Sequence, residues 1–411
     1  MKSDPVIFYG AGVHALMIFK RCSEEVAPRN VVAFCDRDTD KYNKKLFGLP
    51  IMSLEDAKSI YGEFDIYVTA MEYSTPEIIA FLLERGVPES RIINYEPIER
   101  VRGCVELETS IVLNPNPDGS ARVRFCCMDD HVGKSPSYII NNVSDLKGFF
   151  DQRDKLIEDM SSSALLGSCS GCPNIKEHWR FKGLALSRIR YGGPFTCNCY
   201  CKYCQIIKAS DPRLSHDFII DIADNLRDYT DSKHPGFHIF PGEIAIHPQC
   251  RALLQKVKGY DMTVGTNATV YSESLAEVLS QGRCVINVSL DSGTRETFHK
   301  VKGIDAFNSV LENLDRYSKC GLIILKYVFM QGINDTDSDI EGFFDIACKY
   351  ADYVVYSRDC CEENDYSDKA LGSVARWISD FTQSELMVSP GQTFRSSELV
   401  KLRNLTCDSG P

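Results

Sequence analysis

From residue 184 to residue 356 short apolar runs alternate with amphipathic stretches, and this alternation restricts the possible folds more than any other feature of the chain. Strand candidates cover 184–190, 236–240, 260–266, 284–290, 321–329 and 352–356. Between them lie runs of helical periodicity such as "HPQCRALLQKV", "SESLAEVLSQG" and "DAFNSVLENLDRYSKCG". Strands separated by helices pair in parallel through right-handed crossovers. The expectation is an α/β chain whose residues 183–370 form a partial (β/α)6, TIM-like barrel. In such folds the chemistry sits at the C-terminal ends of the strands. The stretch 371–411 reads as a polar, irregular tail.

The loop after the first of these strands reads "TCNCYCKYCQ" and brings Cys197, Cys199, Cys201 and Cys204 together. The chain has 18 cysteines in 411 residues. Its opening, "MKSDPVIFYG", has no basic leader followed by a long apolar core, and no apolar run approaches the roughly 20 residues that span a bilayer. A cytoplasmic chain without a membrane partner is expected. Disulfides are rare in a reducing compartment, so clustered cysteines there point to metal or redox work. Cys22, Cys284, Cys320 and Cys348 stand singly in apolar or helical surroundings and read as packing residues. The net charge of −11 offers no basic footprint for a nucleic-acid backbone, so no nucleic-acid partner is expected. One register, Cys197, Cys201 and Cys204, separates the cysteines by three and then two residues. Three thiolates from one loop can hold three irons of a [4Fe–4S] cube and leave the fourth iron open. Zinc on Cys197, Cys199, Cys201 and Cys204 is the alternative, although one-residue gaps are tighter than the usual zinc spacing.

The downstream sequence favours iron. The loop "CNCYCKYC", with the aromatic Tyr203 before its last cysteine, resembles that of the radical S-adenosylmethionine (SAM) enzymes. After the second strand, "FHIFPGEIAIHP" is similar to the family's Gly–Gly–Glu segment, with Gly242 and Glu243 in place and Pro241 standing where the first glycine would be. "TNAT" follows the third strand, and "NVSLDSGTRETFHKVKG" resembles the fourth strand and its loop, where Ser289 and Asp291 match positions that face SAM. "LKYVFMQGIND" resembles the fifth strand. The resemblance covers about 184–356. It implies a [4Fe–4S] cluster on Cys197, Cys201 and Cys204, and SAM held by Tyr203, Gly242, Glu243, Ser289 and Asp291. It further implies reductive cleavage of SAM to a 5′-deoxyadenosyl radical that takes hydrogen from a small-molecule, sugar or peptide substrate. A reductant such as flavodoxin or ferredoxin is the implied partner. Cys199 has no role in the family and reads as a packing thiol.

Upstream, Cys104 precedes a hairpin predicted around "NPDGS", Cys126 and Cys127 end it, and Cys169 and Cys172 follow in "CSGCP". This set resembles the SPASM or twitch module of radical SAM enzymes, which normally follows the barrel and here precedes it. The resemblance implies a second, auxiliary [4Fe–4S] cluster on Cys104, Cys126, Cys169 and Cys172, with Cys127 as the alternative to Cys126. Structural zinc fits the same thiols. Cys360 and Cys361, beyond the sixth strand, are a reserve pair.

At the N-terminus "VIFYGAGVHA" runs strand, glycine turn, helix, with Gly10, Gly12 and Ala15 at the positions of a dinucleotide fingerprint and Asp36 at the end of the next strand. Residues 5–97 resemble the small nucleotide-binding-like domain that opens some sugar acyltransferases. A nucleotide site and a Rossmann-like half used only for docking are both consistent with these residues; His14 is a candidate phosphate contact or a surface residue. The expected organisation is 1–98 Rossmann-like, 99–182 auxiliary-cluster module, 183–370 barrel and 371–411 tail. No family motif precedes Cys104, so the N-terminal domain is expected to be separable. Two rival functions stay open: a zinc-binding interaction protein on an inactive barrel scaffold, and an NAD-dependent oxidoreductase led by the N-terminal domain.

Overall fold

The computed structural model describes residues 4–70, 74–116, 118–124, 137–161, 169, 172, 175–182, 185–192, 196–204, 217–230, 232, 235–240, 242–390 and 394–407. Cys126, Cys127 and Pro241 lie outside the described residues.

The N-terminal unit is one sheet built from β1 (Val6–Tyr9), β2 (Val31–Cys35), β3 (Lys45–Leu46), β4 (Leu49–Met52) and β5 (Asp65–Val68), in the order β3-β4-β2-β1-β5. All its pairings are parallel except β3 with β4. All four residues of β1 are buried, as a central parallel strand requires. The chain then turns at Gly10, whose φ of +111° suits glycine alone; an added Cβ would stand 3.1 Å from the Ala70 amide nitrogen. Helix Val13–Val26 starts directly after this turn.

Next come β6 (Glu96–Gly103), β7 (Ser110–Pro115), β8 (Ala121–Arg124), β9 (Ser137–Ile140) and β10 (Lys176–Lys182). β6 and β10 form a separate antiparallel ribbon. The predicted hairpin is present as β7 and β8. It does not stand apart, because β7 pairs in parallel with the next strand, β11 (Arg188–Tyr191), with Ser110 opposite Arg188. β12 (Gly236–Ile239), β13 (Asp261–Thr266), β14 (Cys284–Ser289), β15 (Leu322–Phe329), β16 (Tyr353–Arg358) and β17 (Met387–Pro390) complete a ten-stranded sheet ordered β17-β16-β15-β14-β13-β12-β11-β7-β8-β9. From β17 to β7 every neighbouring pair is parallel, and β8 and β9 close one edge antiparallel.

Side chains alternate between the two faces of this sheet. Ile286, Val288, Leu325, Tyr327 and Val354 pack against Phe343, Trp377 and Phe381 of the covering helices. Val285, Ile324, Tyr353 and Met387 point the other way and join Val6, Phe8, Leu16 and Met17 in a second core. The N-terminal unit therefore packs on the face opposite these helices, and the two units share buried apolar surface. Arg21 Nε donates to Asp261 Oδ2 at 2.7 Å, and Lys44 Nζ donates to the carbonyls of Phe381 and Leu386 at 2.9 and 2.8 Å. These three acceptors lie at or before the starts of β13 and β17.

The C-terminal stretch differs from expectation. Helix Asp368–Gln383 buries Leu371, Val374, Trp377 and Phe381 at helical spacing, β17 extends the sheet, and helix Ser396–Cys407 packs on the former helix. Among the described residues no helix is long and apolar enough to cross a membrane.

Candidate active site

The cysteine loop, 196–204, leaves β11 at the C-terminal end of the sheet. Its backbone is held by hydrogen bonds on two sides. Glu243 N donates to Thr196 O at 3.0 Å, Tyr200 N to Lys302 O at 2.7 Å, and Lys202 N to Val301 O at 3.0 Å. Asn198 Nδ2 donates to Thr269 Oγ1 at 2.7 Å, and Asn267 Nδ2 reaches Asn198 Oδ1 at 2.9 Å and Cys197 Sγ at 3.8 Å. The "TNAT" stretch after β13 thus fixes the first half of the loop. Gly303 permits the second contact: its φ is +70°, and a Cβ there would stand 2.8 Å from Tyr200 Cβ.

Cys197 and Cys201 are half-buried, Cys199 is buried and Cys204 is exposed. Hydrogen bonds with the Cys197 and Cys201 sulfurs, and burial, push the Cys199 thiol up. The Cys201 thiol is lowered to about 7 by the Cys199 hydrogen bond and by the Lys302 ammonium, against its own burial. Among the described residues no three of these four sulfurs lie within 4.8 Å of one another. One loop thus presents Cys197, Cys201 and Cys204 together, three thiols of the kind that ligate iron–sulfur cubes.

Glu243 follows β12 and is fully buried. Its Oε1 accepts from Ala245 N at 3.0 Å and Thr266 Oγ1 at 2.8 Å, and its Oε2 accepts from Asn267 N. Burial pushes its carboxyl up to about 7, while these donors pull it back. Gly242 before it has φ +70°. Ser289, the last residue of β14, is half-buried.

Asp291 has a fuller set of protein partners than its sequence position suggested. It is fully buried at φ +58°, a left-handed conformation that costs a non-glycine residue of order 1–3 kcal/mol. Its Oδ1 accepts from Val328 N at 2.8 Å; its Oδ2 accepts from Tyr203 OH at 2.6 Å and from Lys302 Nζ. Asn334 Nδ2 donates to the Asp291 carbonyl at 2.8 Å. Tyr203, in turn, is engaged with Asp291 and with Lys302 Nζ at 3.0 Å. Burial and the Asp291 charge hold the Tyr203 hydroxyl well above its usual range. Lys302 is 1% exposed, and although burial alone would lower its ammonium, Asp291 holds it well above the usual lysine range. Sequence reasoning passed over Lys302, Asn267 and Asn334; the first two lie inside the quoted "HKVKG" and "TNAT", the third in "QGIND".

Of the upstream thiols, Cys104 is buried, Cys169 and Cys172 are half-buried, and Cys172 N donates to Cys169 O at 3.1 Å. Burial, then Cys172, pushes the Cys169 thiol up. Cys104 and Cys169 contribute to the same apolar core. Cys360 and Cys361 form, with Asp359, a cluster whose ligand atoms lie within 4.8 Å, and Cys361 Sγ donates to the Tyr203 carbonyl at 3.3 Å. The reserve pair therefore lies against the cysteine loop.

Residues 194–347 match the Radical SAM superfamily. Over 198 residues the chain is 26% identical to GTP 3′,8-cyclase of Aliarcobacter butzleri, covering 46% of this chain and 60% of that protein. Over 154 residues it is 27% identical to a probable GTP 3′,8-cyclase of Saccharolobus islandicus, covering 36% and 49%. The chain thus spans about half the length of the first such relatives. The solved structure of Streptococcus suis SuiB bound to S-adenosylmethionine aligns over 50% of each chain at 15% identity with a TM-score of 0.41. The matched segment runs from just before the cysteine loop through Glu243, Asp291 and Lys302, and over it the chain is similar to the radical SAM superfamily, a family whose cofactors are a [4Fe–4S] cluster and S-adenosylmethionine.

Proposed function

We propose that this chain is an enzyme that cleaves SAM reductively and uses the product radical to take hydrogen from a bound substrate. The observation that carries the reading is the cysteine loop, anchored to Lys302 on one side and to "TNAT" on the other, with Glu243 beside it. When bound through Cys197, Cys201 and Cys204, a [4Fe–4S] cluster supplies the single electron that splits a sulfur–carbon bond of SAM and yields the 5′-deoxyadenosyl radical. The chain's own part is to position and to exclude water. Glu243 offers a buried carboxylate oxygen to the ammonium of SAM. Ser289 and Gly242 line the SAM side, and Tyr203 and Asp291 hold the loop in shape from beneath.

The wider organisation is proposed with it. The parallel strands from β11 to β16 support a partial (β/α)6 barrel, and the N-terminal sheet order supports a Rossmann-like half. Cys104, Cys126 or Cys127, Cys169 and Cys172 are proposed to hold an auxiliary [4Fe–4S] cluster, as in a SPASM or twitch module. The chain is proposed to work in the cytoplasm with a flavodoxin- or ferredoxin-type reductant. For substrate, the cyclases' printed names favour a small molecule over a peptide.

The test is anaerobic. Reconstituted protein with SAM and dithionite should release 5′-deoxyadenosine, and the combined Cys197→Ala, Cys201→Ala and Cys204→Ala variant should release none. Equal release from that variant would overturn the assignment. A colourless protein holding zinc in the loop would favour the zinc-binding alternative.

A further inference from the structure

A cavity of about 670 Å³ separates the glycine turn of the N-terminal unit from the inner face of the long sheet. One wall carries Tyr9 and the turn Gly10–His14; the other carries Arg188 and Arg190 of β11, His238 of β12 and Asn287 of β14. Its size lies in the range of small-molecule sites, roughly 300–1,000 Å³, and far exceeds the ~30 Å³ of a water molecule.

Three side chains with polar groups, Tyr9, His238 and Asn287, line this space. Asn287 Oδ1 accepts no hydrogen bond. Tyr9 is 2% exposed and His238 5%, and both line the cavity. Buried polar atoms are overwhelmingly satisfied, so the orphaned Asn287 oxygen on the wall of a cavity this size points to a ligand. Burial and the neighbouring guanidiniums hold the His238 ring well below its usual range, leaving it neutral, able both to donate and to accept.

The cavity's charge selects the ligand's sign. Glu106 serves two guanidiniums, Arg188 at 2.8 Å and Arg190 at 3.5 Å, which leaves one positive charge in excess. Asp36 adds no free negative charge, because it accepts from Ala11 N at 2.7 Å and pairs with Lys41 at 3.0 Å. Helix Val13–Val26 starts at the turn and adds its positive end. A Cβ on Gly12 would meet nothing within 4 Å, so the turn faces open space.

We propose that this cavity binds a phosphate-bearing molecule of nucleotide size, with its phosphate between the Gly12 turn and Arg190 and its body along His238 and Asn287. Asn287 and Ser289 share one face of β14, and Phe240, another lining residue, stands two residues before Gly242. The same face leads to the SAM side, so the N-terminal unit holds the substrate by its phosphate while the body extends towards the radical. The identification of this ligand as substrate rests on the proposed SAM chemistry; its binding does not.

The experiment titrates the full-length, cluster-loaded protein, without reductant, with GTP, UDP-glucose and guanosine by calorimetry. At least one phosphorylated probe should bind saturably, one per chain, with guanosine about tenfold weaker or more, as loss of charge-assisted contacts requires. Gly12→Asp and Arg190→Glu should each weaken the phosphorylated probe by a similar factor. Binding of neither phosphorylated probe, equal binding of guanosine, or wild-type affinity in Gly12→Asp would overturn the proposal. Should these variants fail to melt cooperatively, photolabelling of the wild-type chain with 8-azido-GTP decides: label on peptides carrying Gly10–His14 or β11–β12 supports the site, and label confined elsewhere overturns it. A chain that binds GTP and releases no 5′-deoxyadenosine would sink the SAM reading alone; a chain that cleaves SAM and binds no phosphorylated probe would sink this inference alone.

Discussion

Lys302 and Asp291 form an ion pair from which water is excluded, at 1% and 0% side-chain exposure, directly beneath Tyr203 of the cysteine loop. The pair joins β14's loop to helix Arg295–Lys302 and, through the Lys302 carbonyl, to Tyr200. Its location gives it two jobs: it stabilises the sheet's C-terminal end, and it fixes the loop that carries the thiols.

Replacing Lys302 with Met should therefore leave Asp291 charged and unpaired. Breaking a buried pair from one side costs about 3–5 kcal/mol. Denaturant unfolding should show that loss, and reconstituted iron per chain should fall as well. Wild-type stability and iron content in Lys302→Met would show that the pair supports neither the fold nor the loop.

Gly303→Ala should act on the same loop without touching a charge. The added methyl would meet Tyr200 Cβ at 2.8 Å in a backbone with φ +70°. A cost of about 1 kcal/mol or more is expected from the left-handed conformation alone. Iron retention under mild chelation should fall more than the melting temperature suggests, since the displaced residue belongs to the cysteine loop.

Removing residues before 98 should yield an insoluble or molten chain. Val285, Ile324, Tyr353 and Met387 would lose their apolar cover, and Asp261 would lose Arg21 while keeping Arg283. Each fully buried side chain of this kind is worth about 1.5–3 kcal/mol. A truncated chain that unfolds cooperatively near the wild-type temperature would show the shared core to be dispensable.

Glu108 gives a pH signature. Burial pushes its carboxyl up, but hydrogen bonds from His178 and Arg180 outweigh it and hold the group below its ordinary value of 4.5. A depressed carboxylate stabilises the fold above its unfolded value and loses that contribution as pH falls through the folded one. The stability gap between wild type and Glu108→Gln should be constant above pH 4.5 and should shrink below it. A gap that widens on acidification would reverse the assigned sign.

Changing Cys169 and Cys172 to Ala should halve the iron content while SAM cleavage stays measurable, since two full cubes are expected in the wild-type chain. Mössbauer spectra of the variant check this. One cluster with one equivalent of zinc in the wild type would make the upstream module a zinc site.

The cysteine loop and Glu243 were legible in the sequence because their signal is local: thiols three and two residues apart, and an acid directly after a strand. Lys302 was not. Its partners stand 11 and 99 residues away, and "HKVKG" at a helix end reads as an ordinary basic terminus. The six strands of the sheet were also legible, but what covers each face was not. Parallel strands buried on both sides are apolar throughout, so "VIN" in β14 gives no sign that Val285 meets the N-terminal unit while Ile286 meets the helices. For that reason the N-terminal domain looked separable. The C-terminal stretch was read as a tail because polar residues interleave with Leu371, Val374, Trp377 and Phe381, whose spacing emerges only when helical periodicity is applied.

One face of β14 carries, in order, Val285 against the N-terminal unit, Asn287 on the cavity, and Ser289 at the strand's C-terminal end. Three environments, a dry floor, a cavity wall and the rim proposed for the cofactor, are therefore strung on a single strand at intervals of two. A one-residue insertion or deletion there would turn all three side chains to the helix side at once. The loops around this sheet are free to change length in descent; β14 is the ruler against which they are set, and its length can drift only in steps of two.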